Sequence, residues 1–279
     1  MKKIGFIDYF LDEFHANEYP AMIKNITNDM EVTHAFALID SPKEGGMTTD
    51  AWCEAKGITR ALSIDKLIEE CDFIVVLSPD NPEYHEELSE KPLMSGKRVY
   101  IDKTFAVSRE SAARMFERAA KYNTQMYSTS ALRFSAEFES VKKDGISFIS
   151  SRGPASFETY AIHQFEPVVS LMGSDALRIM FVGNEISSAF QIEFSNGRKA
   201  ITSHFSNECP FNFAIQYSSG ELKLIDSCSG FFENFIFNMV DFFQTGNIKV
   251  PTEETMTISS LIECGALAKK RPGEWVNIR

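Results

Sequence analysis

The sequence is short of cysteine, of basic residues, of long apolar runs and of glycine near its start, and each shortage removes a class of function. Five cysteines among 279 residues (Cys53, Cys71, Cys209, Cys228, Cys264) are odd in number, dispersed, and form no C-x-x-C pair. That excludes a disulfide framework and a zinc cluster, so no metal site is expected and a reducing compartment fits best. Lys and Arg number 28 against 39 Asp and Glu, a net charge of -11. A nucleic-acid or anionic-membrane partner needs a basic surface and is therefore not expected. No apolar run approaches the ~18 residues of a membrane span, and the opening MKK precedes too few apolar residues for a signal sequence. A cytoplasmic location is expected.

The missing glycines bear on the first strand. Residues 4–20 read IGFIDYFLDEFHANEYP, an apolar run passing into a polar loop, as a nucleotide-binding α/β domain opens. In G-x-G-x-x-G the glycines serve a tight turn, close approach of backbone to pyrophosphate, and helix–strand packing. Their places are held by Asp8, Phe10 and Glu13. Side chains with negative charge there oppose a phosphate at the helix N-terminus. Pro20 leaves two readings open. In one the helix begins near Glu18 and residues 8–17 form a long loop whose Tyr9, His15 and Tyr19 can touch a ligand. In the other Asp12 and Glu13 cap a helix kinked at Pro20.

What is present is an alternation of strand-length apolar runs and amphipathic helices through the first half, the pattern of a parallel sheet wound with crossover helices. Further strands are read at HAFALID (34–40), DFIVVLS (72–78), RVYIDK (98–103) and TQMYSTS (124–130). Ser63, Asp80 or Asn81, and Ser108 are placed to cap the helices between them. After Arg133 the character changes. A helix-like FEPVVSLMG (165–173) precedes alternating runs broken by Asn196-Gly197 and Ser219-Gly220, hairpin signals that predict an antiparallel sheet over about 178–227. Helices over 231–243 and 253–270, the second capped by Thr252, close the chain. The expected fold is α/β, with a doubly wound Rossmann-like domain (1–128) followed by an α+β domain on a mainly antiparallel sheet (129–279).

Asp40, ending the second expected strand, stands where an acidic side chain binds the adenosine ribose and favours NAD over NADP. Ordinary turn chemistry before Pro42 accounts for it equally well.

Ser78-Pro79-Asp80-Asn81 with His85, then GKRVYIDKTFA (96–106), Arg133-Phe134 and YAIHQFEPVVSLMG (160–173), follow in order and spacing a pattern of strand-end T-P-N, G-K-H-V-x-x-E-K-P and G-x-H-x-x-D-x-x-x-x-L-x-G. In this the chain resembles the glucose-fructose oxidoreductase, inositol dehydrogenase and MocA family over nearly its whole length. It departs in the glycines, in Asp102-Lys103-Thr104 for E-K-P, and in Thr159 where an aspartate often stands.

The resemblance implies an NAD(P)-dependent oxidoreductase acting on the CH–OH group of a sugar, cyclitol or related polyol, working as a homo-oligomer. It makes Lys103 the group that contacts the substrate hydroxyl and His163 the proton acceptor. Asp8, Phe10, Asp40, Ser78, Pro79, Asp80 and Asp102 fall at the cofactor. Arg133, Tyr127, Tyr160 and Thr159 fall at the substrate, Arg133 as a two-pronged clamp or else as a structural ion pair. Glu158 and Glu166 are the remaining carboxylates that could orient His163, His85 is expected to cap or pack, and His34 and His204 receive no role. The rival reading is a dehydrogenase-like protein that has lost the dinucleotide and serves as a small-molecule binding or regulatory module.

Overall fold

The computed structural model describes residues 1–278. The first half alternates as expected: β1 (Lys2–Asp8), α1 (Phe14–Ile26), β2 (Met30–Ala37), α2 (Thr49–Lys56), β3 (Thr59–Arg60), α3 (Ile64–Glu70), β4 (Phe73–Val76), α4 (His85–Leu93), β5 (Arg98–Ile101), α5 (Arg109–Lys121) and β6 (Met126–Tyr127). The strands form one six-stranded sheet in the order β3-β2-β1-β4-β5-β6, every pairing parallel. Chain order reverses between β1 and β4. That topological switch point is where open α/β sheets bind ligands, beyond the carboxyl ends of the strands. All four residues of β4 are buried, as a strand covered by helices on both faces requires. Gly5 lets α3 lie close on β1, because a Cβ there would come within 2.4 Å of the Leu67 side chain.

Capping follows local chemistry. Ser63 Oγ accepts from the Lys66 amide and Thr48 Oγ1 from that of Ala51, each satisfying a first-turn donor without partner in the helix. The short α2 and β3 lay outside the sequence reading, their apolar content being too low to show a period.

The second half contains β7 (Ile146–Gly153), α6 (Phe157–Met172), β8 (Ala176–Phe181), β9 (Ala189–Phe194), β10 (Lys199–His204), β11 (Asn212–Tyr217), β12 (Leu222–Ile225), α7 (Phe231–Thr245), α8 (Thr252–Lys269) and β13 (Trp275–Asn277). Its seven-stranded sheet runs β12-β11-β7-β10-β9-β8-β13. All neighbours are antiparallel except β7 and β10. Asn196 and Gly197, both with positive φ, form the turn between β9 and β10, so that hairpin was legible. Strands β9, β10 and β11 alternate strictly between half-buried and buried residues, the mark of a sheet with one face packed on a core. That core joins Phe190, Phe194, Ile192 and Phe213 to Phe157 and Phe165 of α6 and Leu261 of α8.

The chain divides into two compact units that do not follow a single cut. The first holds residues 1–106, 110–129 and 236–251; the second holds 107–109, 130–235 and the chain from Thr252. The latter part of α7 therefore belongs with the first sheet. There Phe243 stacks on Phe73 at 4.9 Å and Phe242 meets Tyr127 edge-on at 5.0 Å.

Candidate functional site

The β1–α1 loop is short and folded inward. Helix α1 starts at Phe14 and runs through Pro20, so the long loop ending near Glu18 is not formed, and the capping alternative is. Glu13 is the N-cap: its carboxylate accepts from the His15 amide at 2.7 Å and from the Ala16 amide. Only 3% of Glu13 is exposed. Phe10 and Leu11 are buried, and Asp12 is tied down by the Met47 amide at 3.0 Å and by Lys43, which donates to its carbonyl at 2.8 Å. Phe10 is thus a packing residue beneath Lys43, whose ammonium lies 5.2 Å from the ring centroid, where close approach of a ligand to the backbone had been in question.

Below Glu13 lies a buried polar cluster. His15 Nδ1 pairs with the Asp102 carboxylate, and its ring stacks on Tyr19 at 4.8 Å. The Tyr100 hydroxyl donates to Asp102 at 3.0 Å, and the Lys103 amide donates to the same oxygen at 2.8 Å. Asp8, 1% exposed, leaves its Oδ2 without a hydrogen-bond partner. Burial, reinforced by the Glu13 charge, holds the Asp8 carboxyl well above the usual range. Glu13 is pushed up to about 7, again chiefly by burial, against the pull of His15. Asp102 goes the other way: although burial opposes ionisation, His15 and the Lys103 amide hold it at about 2.

These directions set a pH dependence of stability. Glu13 binds its proton more tightly folded than unfolded, so its contribution is complete below about 4.5, the ordinary glutamate value, and is lost as pH rises through about 7. The loss is on the order of 3 kcal/mol. Asp8 acts in the same sense, whereas Asp102 stabilises above its ordinary value and that contribution disappears on acidification toward 2. We expect Tm to fall between pH 5 and pH 8, and Glu13→Gln to remove much of that fall. Thermal scans of both proteins at the two pH values check this; an equal fall in both would show that Glu13 does not titrate in this range.

Around the cluster, the other residues expected at a cofactor take these places. Asp40 is exposed, accepts from the Thr49 amide at 2.7 Å, and is held below its usual range mainly by that bond. Ser78 adopts a positive φ of 74° and donates to the Asn81 carbonyl at 2.9 Å. Asp80 is exposed. Lys103, half-buried, donates from Nζ to the Pro79 carbonyl at 3.2 Å, and its bond to Thr104 is cis. Tyr9 after β1 stacks on Tyr84 after β4, with centroids 4.2 Å apart and planes 15° apart. The two rings therefore bridge the crevice at the switch point. His85 is a packing residue, fully buried with its ring nitrogens on the Leu77 and Phe105 carbonyls.

Tyr127 corrects one expectation. It is 4% exposed, set against Tyr100 and Phe242, and its hydroxyl is buried. A phenol enclosed in the core of the first unit does not reach a substrate.

In the second unit, α6 carries His163. Its Nδ1 lies 2.7 Å from Ser130 Oγ, and its ring meets those of Tyr160 at 4.9 Å and Phe211 at 5.9 Å. Glu158 pairs with Lys269, and Glu166, 2% exposed, pairs with Arg133. Tyr160 and Thr159 are exposed, one turn earlier on the helix. Arg133 is itself engaged on both arms, by Glu166 at 3.2 Å and Glu254 at 2.6 Å, with 6% of its side chain exposed. That is the structural ion pair rather than an open clamp. Ser130 and the His15–Asp102 pair were missed in the sequence, because nothing in residue spacing marks partners 33 and 87 positions apart. Among the described residues no three His, Cys, Asp or Glu side chains are placed to hold a metal ion.

A parallel sheet with a switch point, followed in the chain by a mixed-sheet unit, is a two-domain Rossmann-like arrangement. Residues 13–130 match the model of the oxidoreductase family with an NAD-binding Rossmann fold. That match lies within the first half of the chain, from the start of α1 to the end of β6. No curated protein sequence matches it significantly. Among solved structures it is similar to myo-inositol dehydrogenase from Lactobacillus casei in complex with NAD(H) and myo-inositol (TM-score 0.80, 11% identity, 100% of this chain and 97% of that one). It is similar also to myo-inositol 2-dehydrogenase from Lactobacillus plantarum (0.78, 13%, 100% and 99%) and to an oxidoreductase from Bacillus cereus (0.73, 16%, 100% and 99%). At such identities the likeness establishes the fold.

The family's dinucleotide can be tested against these residues. A pyrophosphate ordinarily sits at the α1 N-terminus on first-turn amides. Here the His15 and Ala16 amides are taken by Glu13, and a buried Asp8 carboxyl with an unpartnered oxygen lies beside it. As arranged, the residues do not fit a pyrophosphate at that place.

Proposed function

We propose that this chain is an oxidoreductase of the NAD(P)-dependent class acting on the CH–OH group of a sugar, cyclitol or related polyol, with Lys103 and His163 as its reactive pair. The observation that carries the proposal is Lys103, a half-exposed amine at the carboxyl end of β5 whose ammonium donates to the Pro79 carbonyl. An ammonium there can donate to an alcohol oxygen and stabilise negative charge developing on it. The His163 imidazole, its Nδ1 at the Ser130 hydroxyl, can take the hydroxyl proton near neutral pH. The polyol class is supported by the inositol dehydrogenases that share the fold.

Glu13 favours a second reading, a polyol-binding or regulatory module that works without a dinucleotide. Thermal melts separate the two. A nicotinamide nucleotide at 100 times its dissociation constant adds about 2.7 kcal/mol, a Tm rise of several degrees. The oxidoreductase reading expects a rise with NADH or NADPH at millimolar concentration, whereas a rise with a polyol alone and none with either nucleotide supports the module.

A further inference from the structure

We infer that Glu13 is an internal substitute for the pyrophosphate: its carboxylate fills the anion seat at the N-terminus of α1, so a dinucleotide binds only when Glu13 is displaced from it. The inference rests on the NAD(P)-dependent reading and concerns the same site.

Four observations carry it. First, Glu13 is an unusual cap. The other helix starts in this unit that show a side-chain cap use the neutral hydroxyls of Thr48 and Ser63, one amide each. Glu13 instead folds a longer, charged side chain back on itself to take two amides. Asp, Asn, Ser and Thr are the usual choices. The carboxylate appears at the one helix whose N-terminus adjoins the first strand of the switch point, where this fold receives phosphate.

Second, the seat is enclosed. Glu13 is 3% exposed, and Phe10 and Leu11 of the same loop are buried with it. Third, the surroundings are already rich in carboxylates. Asp102 beyond β5 raises the proton affinity of Asp8, Glu13, Tyr19 and Tyr100, and Glu13 raises that of Asp8, while His15 acts against this at Glu13 and at Asp102. A pyrophosphate would add two negative charges beside an ionised Glu13, in a setting where poor solvent screening enlarges the repulsion. Glu13 therefore has to leave before the phosphates take its amides.

Fourth, an exposed carboxylate remains after β2, with one oxygen taking the Thr49 amide. Asp40 remains exposed and ionised at the carboxyl end of β2, in the position that meets a ribose. A site wholly discarded would not be expected to close its phosphate seat with an anion and keep its ribose acceptor. Displacement is chemically even: two amide donors released by one anion are taken up by another.

The test is NADH binding, followed by nucleotide fluorescence at pH 8, to the native protein and to Glu13→Gln and Glu13→Ser. Glutamine keeps the shape and an acceptor oxygen without the charge; serine keeps a capping hydroxyl and removes the bulk, and serves should the glutamine variant fail to fold by circular dichroism. We expect weak binding by the native protein and at least tenfold tighter binding by the uncharged variants, the larger gain with serine. Low-micromolar binding by the native protein with no gain in either variant would overturn the inference and leave the oxidoreductase reading standing. No binding by a folded Glu13→Ser would also overturn it, since emptying the seat would not have opened the site, and would favour the module.

Discussion

Lys103→Met and His163→Ala are each expected to lower kcat/KM on a polyol substrate by about 10²–10⁴-fold, the range attributable to a positioned proton-transfer group. Methionine preserves the length and apolar stem of Lys103 and removes the donor. The native ammonium donates to the Pro79 carbonyl from a half-buried side chain, so Tm should barely change. His163 is likewise half-buried, with aromatic neighbours on α6 and at Phe211, and alanine suits a helix. Steady-state kinetics with parallel melts check both variants. Activity within tenfold of native in either would remove that residue from the reactive pair. Loss of folding in His163→Ala would assign the ring to packing.

Arg133→Met should act in the opposite pattern, destabilising the second unit by about 3–5 kcal/mol, the cost of removing one side of a buried ion pair. The two carboxylates it serves are largely shielded from solvent: 2% of the Glu166 side chain and 12% of that of Glu254 are exposed. Removing the guanidinium leaves both desolvated and side by side, so they must take up a proton or admit water. Adding Glu166→Gln to Arg133→Met should recover part of the loss, because it removes one of the two buried charges that the guanidinium had offset. Thermal or urea unfolding measures both. If Arg133→Met left Tm unchanged and raised KM alone, Arg133 would be the substrate clamp after all.

The residues differ in how far they could be read beforehand. The parallel sheet was legible because β4 and β5 are short apolar runs between helical periods, and a buried strand needs nothing more than that. The β9–β10 hairpin was legible because Asn196 and Gly197 accept positive φ at low cost. By contrast, β7 was not read: its sequence, ISFISSRG, is half polar, and only pairing with β10 and β11 makes it a central strand. The division of α7 between two units was invisible for a similar reason. Its aromatic residues announce burial but not which core receives them.

In the loop after β1, the sequence by itself determined that three glycines are absent and that acidic side chains stand in their place, since residue identity needs no fold to be known. It determined also the order of strands and helices, because hydrophobic period is local. Tertiary structure alone decided what the acidic groups do. Glu13 turns back onto the amides of His15 and Ala16, Asp102 comes from 87 residues further on to hold His15, and Asp8 is left buried with an oxygen unpartnered. Tertiary structure likewise turned Arg133 from an open fork into the partner of Glu166 and Glu254, and enclosed Tyr127 against Phe242. The physical reason is common to all of these: the state and reach of a charged or polar side chain depend on burial and on partners distant in sequence, and neither quantity is carried by local pattern.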